Sequence, residues 1–364
     1  MNIHLSDIAK KVGVSKMTVS RALREDPAVA ASTRKQVLAA AAELGYAPNP
    51  KLARVMSEMA SSRSRPNALG ELAYISTEDS EFGWRKYYHQ MACFNGAKTE
   101  AKAYGYNLLP VWALSRRFST KGRLTEFLWL RGVDGILVPP LGRGMIGKAL
   151  DIDWNRFCSV QIGATLSEPK LNLVRHNHYE GMLQALLKME TLGYQRIGLC
   201  FSSDSDIRSY HRWASAYLYW RTVRGFTTRT LPTFHYTAEG IDQRAFKKWV
   251  SQNGITGIIG MNTEPMQTCA DLGINIPDDM GFAVLDHPGE GSTIAGIDQV
   301  ARKIGSMAVD ILIIDVRKGI MGVPSHPVQT TIEGNWIPGN TVRFLEKSGA
   351  SAAVTELKNV EGIF

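Results

Sequence analysis

The stretch LSDIAKKVGVSKMTVSRAL (5–23) holds two short helical patterns on either side of a break. Leu5, Ile8, Ala9 and Val12 fall at helical spacing behind Ser6, which predicts a helix over 5–12 with Ser6 as its N-cap. Gly13 ends that pattern, and Ser15 can cap a second helix over 16–24. After the Asp26-Pro27 loop, Ser32 or Thr33 can cap a third, Ala-rich helix that runs to about Leu44, with Gly45 at its C-cap. A tight bend at Gly13-Val14, with Ala9, Val14 and Val19 in mutual contact, makes the first two helices a helix–turn–helix. The second helix of such a unit can lie in the major groove of a duplex.

Charge supports a polyanion as the partner of this head. The 364-residue chain carries a formal +8, and residues 1–65 hold eleven Lys/Arg against five Asp/Glu, a net of +6. The other 299 residues are nearly balanced, at a net of +2. A small basic head on a near-neutral body points to a polyanion partner, with a merely solvated basic face as the alternative that charge alone leaves open.

Outward from the head, residues 46–68 change character. Pro48 and Pro50 break the chain, a helix of one or two turns can follow over about 51–59, and SSRSRPN reads as a linker. Isolated helices this short are marginal in water, so the segment is expected to fold conditionally. From Leu69 the texture becomes strand–helix alternation. Apolar runs occur at 69–76, 106–113, 135–140, 157–163, 196–202, 231–236, 257–262 and 281–286, with helical stretches between most of them. This pattern predicts open, mostly parallel sheets covered by helices on both faces. The body is too long for one such sheet, and GYNLLPVW and GYQRIGLC open corresponding strands of two similar lobes. A C-terminal tail over 344–364 shows no sustained heptad.

The head stretches LSDIAKKVGVSKMTVSRAL and STRKQVLAAAAELGYAPN (32–49) resemble the DNA-binding domain of the lactose-repressor (LacI/GalR) family of bacterial regulators, as a divergent branch. LGYQRIGL (192–199), LGINIPDDMGFAVLD (272–286) and AGIDQVARKIGSMAVDIL (295–312) resemble that family's effector-binding core, whose fold is shared with periplasmic sugar-binding proteins. The resemblance implies an α/β protein with an all-α helix–turn–helix head (1–47), a hinge helix and linker (48–68), and a two-lobed, doubly wound parallel-sheet core (69–343). The first lobe is expected over about 69–165 and 293–322, and the second over about 166–292 and 323–343.

The same resemblance implies roles for particular residues. Lys16, Met17 and Arg21 would read base edges. Arg21 suits guanine O6/N7, Lys16 suits guanine or phosphate, and Met17 offers only apolar contact. Ser15, Thr18, Ser20 and Thr33 are the expected backbone contacts, with helix capping as the alternative for Ser15. In the hinge, Leu52, Val55 and Met56 are the apolar candidates for the minor groove. Val55 is the wedge if counted from YAPN, and Met56 if ARVM is matched to the family tetrad. In the core, Arg212, Asn262, Asp286 and Gln299 carry over to effector-binding positions, and Arg208 competes with Arg212. Asp206 is a possible ion-pair partner of Arg212. An Arg, an Asn and an Asp at strand ends suit the hydroxyls of a sugar or similar polyol. Trp84 is the first candidate to stack on a sugar face, with Trp112, Trp213 and Trp220 behind it.

Several function classes lack support. No apolar run approaches ~18 residues, so no membrane span is expected. No basic n-region and apolar h-region open the chain, which argues against a secreted solute-binding protein. Cys93, Cys158, Cys200 and Cys269 lie far apart, without metal or disulfide spacing. GRGMIG (142–147) fits a dinucleotide fingerprint in letters but lies in the third unit of its lobe. His176 and His178 lack a third ligand and read as a polar loop. No catalytic constellation stands out, so neither an enzyme nor a cofactor is expected. The reading is a cytoplasmic, nucleoid-associated regulator, a homodimer on a palindromic operator, controlled by a small-molecule effector of carbohydrate type.

Overall fold

The computed structural model describes residues 5–23, 29–44, 70–146 and 148–345, and the chain divides into two compact units at Ala68/Leu69. In the first unit, α1 (Leu5–Val12), α2 (Lys16–Leu23) and α3 (Ala31–Glu43) pack around Ile8, Ala9, Val19, Ala22, Val29, Val37, Ala40 and Ala41. Gly13 adopts φ +75°, a left-handed conformation that glycine enters without a Cβ penalty. Its amide and that of Val14 both donate to the Ala9 carbonyl, which closes α1 and aims the chain into α2. The third helix starts earlier than its Ser/Thr pair suggests. Ala30 occupies the N-cap with no side-chain bond, and Ser32 and Thr33 lie in the first turn.

The second unit contains two six-stranded sheets. The first comprises β1 (Gly70–Ser76), β2 (Tyr106–Trp112), β3 (Val133–Val138), β4 (Cys158–Ile162), β5 (Asn172–His176) and β11 (Gln329–Ile332), in the order β11-β5-β4-β3-β1-β2. The second comprises β6 (Ile197–Ser202), β7 (Phe234–Tyr236), β8 (Gly257–Gly260), β9 (Gly281–Val284), β10 (Gly296–Asp298) and β12 (Asn335–Ile337), in the order β12-β10-β9-β8-β6-β7. Every pairing is parallel except β10–β12. Because parallel strands need crossover connections, helices cover both faces, and β4, β6, β8 and β9 are buried along their whole length. On the first sheet, α4 (Tyr88–Ala103) and α11 (Ala301–Lys318) pack against each other at Gly96 and Gly305. A Cβ on Gly96 would overlap the Arg302 carbonyl, and one on Gly305 the Cys93 carbonyl.

The lobe boundaries differ from those expected. Asn172–His176 pairs with β4 and β11, so the first lobe reaches His176 and does not end near 165. Gly296–Asp298 pairs with β9 and β12 and belongs to the second lobe, as does α6 (His178–Thr191). Gln329–Ile332 belongs to the first lobe. The chain therefore passes between lobes near 177, 299 and 333, each time just beyond a strand end. Asn177 ties the first passage to the third. Its amide donates to the Ile332 carbonyl (2.9 Å) and its Nδ2 to Glu333 Oε1 (2.8 Å). No described helix is long and apolar enough to cross a membrane.

Candidate functional site

On the head, one face of α2 is apolar and buried through Val19 and Ala22, and the opposite face carries Lys16, Met17 and Arg21, all exposed. Met17 keeps 66% of its surface accessible. Ser15 Oγ accepts from the Thr18 amide (3.0 Å) and lies 2.8 Å from the Thr18 hydroxyl, so Ser15 caps α2. Both groups stay at the surface to partial or full degree, and Thr33 is half-buried. Lys11 and Glu43 form an ion pair at 2.6 Å that joins α1 to α3. The Ser20 side chain and the hinge residues Leu52, Val55 and Met56 lie outside the described residues.

In the body, a cleft opens where the carboxyl ends of the two sheets face each other, the usual ligand position in doubly wound folds. From the first lobe it is lined by Glu78, His89, Gln90, Arg143, Arg175 and His176 among others. From the second it is lined by His178, Asp204, Arg208, Trp213 and Asp286, with Gln299 at a lobe passage. Its cavity has a volume of about 160 Å³.

The expected residues divide over this geometry. Asp286 lines the cleft, with its Oδ1 3.5 Å from His89 Nδ1. Gln299 lines it while donating from Nε2 to the Leu285 carbonyl (2.8 Å). Arg208 spans it, donating from the second lobe's α7 (Ser203–Arg208) to the Leu141 carbonyl of the first lobe (2.8 Å). Arg212 opens α8 (Arg212–Val223) and is not among the lining residues, though it lies close enough to Arg175 to lower that guanidinium's pKa. It makes no ion pair with Asp206, whose carboxylate meets His211 Nδ1 instead. Asn262 is not among the lining residues. Its Oδ1 accepts from the Glu264 amide (3.0 Å) at the start of α10 (Glu264–Asp271) and from Tyr236 (3.4 Å).

Trp84 is no stacking platform. It is 2% exposed and packs in the first lobe's core on Phe94 and Tyr74, with ring centroids 4.6 and 6.2 Å away. Trp220 is likewise core, and Trp112 is held by a bond to the Glu78 carbonyl (2.8 Å). Of the four tryptophans considered, Trp213 lines the cleft, edge-on to His178 at 4.7 Å.

Sequence reasoning missed Arg175 and misjudged His176 and His178. All three are buried or half-buried at the junction of β5 and α6, not in a polar loop. Arg175 is 4% exposed, and burial, aided by Arg212, brings its pKa down to about 10. Burial pulls His176 down to about 4 and His178 well below the imidazole range, so both rings are neutral at physiological pH. The available signal was their position, a strand end followed at once by a helix start.

Comparison with known proteins agrees with this architecture. The family described as "Bacterial regulatory proteins, lacI family" matches residues 4–49. The HTH-type transcriptional regulator MalR of Streptomyces coelicolor is 36% identical over 308 residues, 79% of this chain and 81% of that one. Among solved structures, a transcriptional regulator CelR–cellobiose complex superposes with TM-score 0.59 at 18% identity, covering 93% of this chain and 99% of the other. A lac repressor dimer bound to operator and the anti-inducer ONPF gives TM-score 0.55 at 19% identity, covering 94% and 100%. With a head matched by the family profile and a relative of this identity along most of its length, the chain belongs to the lacI family of bacterial regulatory proteins.

Proposed function

We propose that this regulator binds operator DNA through α2 and that a small polar molecule in the interlobe cleft controls the binding. Lys16, Met17 and Arg21 read base edges, and Ser15, Thr18, Ser20 and Thr33 position the backbone. Leu52, Val55 and Met56 supply the hinge contacts in the minor groove. The protein acts in the cytoplasm, at the nucleoid, as a homodimer on a palindromic operator, and represses. It carries no catalytic step.

The observation that supports this best is the exposed Lys16–Met17–Arg21 face of α2, on the same chain as a cleft lined from both lobes by buried polar groups. Asp286, Glu78 and Gln90 in the cleft suit the hydroxyls of a sugar. Cellobiose bound to the CelR relative in fold points to the same carbohydrate class.

Selection of bound genomic fragments, followed by fluorescence anisotropy on the winners, tests the proposal. We expect a preference over random competitor that falls steeply with salt, because several phosphates are neutralised, and that shifts when a cleft ligand is added. Equal affinity for selected and random duplexes, with and without small molecules, would refute it.

A further inference from the structure

The outer surface of the second lobe carries an apolar groove between two helices. α6 and α8 run side by side in the same direction. At their starts the rings of His178 and Trp213 lie 4.7 Å apart, and at their ends Glu190 pairs with Arg224 at 2.6 Å. Along α6, Tyr179, Leu183 and Leu187 are spaced four apart and share one face. Along α8, Tyr219 and Val223 do the same, and Tyr219 lies close enough to Tyr179 for the two phenols to interact. Tyr179 and Leu183 pack their inner sides on the core. Leu187, Tyr219 and Val223 keep 47%, 55% and 57% of their surface exposed. Single exposed apolar residues are ordinary, but a row of them on two adjoining helices marks a surface that binds something.

The place where the chain leaves the described residues says what that is. Val342 and Leu345 pack on the second lobe's core, and the Leu345 amide donates to the Leu192 carbonyl (2.8 Å) at the C-terminal end of α6. Leu192 stands only about 7–8 Å beyond Leu187 along the helix axis, at 1.5 Å per residue. Residues 346–364 therefore start beside the groove. Their sequence supplies its complement. Ala350, Ala353, Val354, Leu357 and Val360 recur at helical spacing, with Ser351, Thr355, Glu356 and Asn359 on the opposite side. Glu361 falls at the margin of the apolar stripe, and Gly362 is placed to end the helix.

Lengths agree as well. Residues 346–349 can span up to ~13 Å, enough to turn the chain back. A helix over 350–361 measures about 18 Å, against about 21 Å for α6. A second copy is the poorer occupant. The stripe lacks a sustained heptad, so it offers no coiled-coil seam, whereas a segment tethered this closely meets the groove at millimolar effective concentration.

We propose that residues 350–361 form an amphipathic helix that lies antiparallel to α6 in the groove of its own chain. Val354 and Leu357 cover Leu187, Tyr219 and Val223, and the polar side of the segment faces water. The groove is thus an intramolecular docking surface, and the tail is its partner.

Hydrogen–deuterium exchange of the full chain, read by mass spectrometry, tests this. Amides of 350–361 should exchange at least about tenfold more slowly than a free peptide of the same sequence. Leu357→Asp in the tail, and Leu187→Asp or Val223→Asp in the groove, should each return them to the peptide rate, while β6 and β8 keep their protection. Leu187 and Val223 are both exposed, so a charge at either is compatible with a folded lobe, and one variant serves if the other misfolds. Tail amides that exchange at the peptide rate in the parent would overturn the proposal. So would protection that survives all three substitutions, since the tail is then held elsewhere. A Leu187→Cys, Leu357→Cys double variant, oxidised and run on a non-reducing gel, identifies whose groove is filled; the four native cysteines are buried. A cross-link within one chain supports the proposal, and a cross-linked dimer or no cross-link refutes it.

Discussion

Protonation of His176 should weaken the body at a junction between its lobes. The ring lies at the end of β5, 2% exposed, with Nδ1 3.2 Å from the Ile332 carbonyl and Nε2 unpartnered. Gly181 and Gly334 leave it room, since a Cβ on either would collide with the imidazole. Burial is the main cause that lowers its pKa to about 4, and His89 adds to that, against smaller opposing effects of the Ile332 carbonyl, Asp286 and Asp298. The sign follows from linkage. The unfolded ring titrates near 6.5, so as pH falls below that value the unfolded state takes up a proton that the folded state refuses. Stability is full above ~6.5 and falls until the folded ring titrates near 4. Between pH 7 and pH 4.5 the loss is about 2–2.5 kcal/mol from this residue alone. His178, also lowered by burial, pushes in the same direction.

Urea unfolding at the two pH values measures this, and tryptophan fluorescence reports the body selectively because all eight tryptophans lie at position 84 or beyond. Carboxylates also titrate in this interval, so the informative quantity is the difference between the parent and His176→Gln, which cannot take the proton. The parent should lose about 2 kcal/mol more than the variant on acidification. Equal losses would refute the claim that a neutral, buried His176 holds the passage between lobes.

Other predictions concern the head and the first lobe. Arg21→Ala should weaken specific operator binding by about 1–3 kcal/mol and relax preference at one base pair, and an unchanged preference in competition binding removes Arg21 as a reader. Lys16→Ala, if the ammonium sits on a phosphate, should lower the salt slope of binding by about one, and an unaltered slope assigns Lys16 elsewhere. Ser15→Ala removes the cap from the Thr18 amide and should destabilise the head by about 1 kcal/mol, read from its far-UV circular-dichroism melt; no change means that water replaces the cap. Gly305→Ala forces a methyl into the Cys93 carbonyl and should cost about 1–3 kcal/mol through separation of α4 and α11, so a parental fluorescence melt would show that the helices part freely.

The head was legible because its determinants are local. A tight bend at Gly13, a cap at Ser15 and apolar residues at helical spacing fix α1 and α2 within nineteen residues. The sheet strands were legible for a related reason: strands buried on both faces must be near-continuous apolar runs, as IGLCFS and GFAV are. Asn172–His176 escaped notice because it carries Arg175 and His176 into the cleft, and polar residues at a strand end erase that signature. Trp84 misled for the opposite reason. It follows β1 where a ligand contact is expected, but the 3-10 turn Gly83–Lys86 folds it back into the core. Which arginine faces the cleft depends on contacts remote in sequence. Arg175 and Arg208 come to line one cleft only when two lobes joined by three passages face each other, and no local pattern encodes that.

The same placement explains why a ligand in this cleft would change the protein and not merely occupy it. A molecule shifts a conformational equilibrium only by its difference in affinity between the two states. Arg175 belongs to the first lobe, on β5, and Arg208 to the second, on α7, and both line the cleft. A ligand that touches residues of both lobes binds their closed arrangement more tightly than an open one. A coupling of about 1–3 kcal/mol to DNA affinity lies within reach of such a change. Coupling is reciprocal, so operator should alter effector affinity by the same factor as effector alters operator affinity.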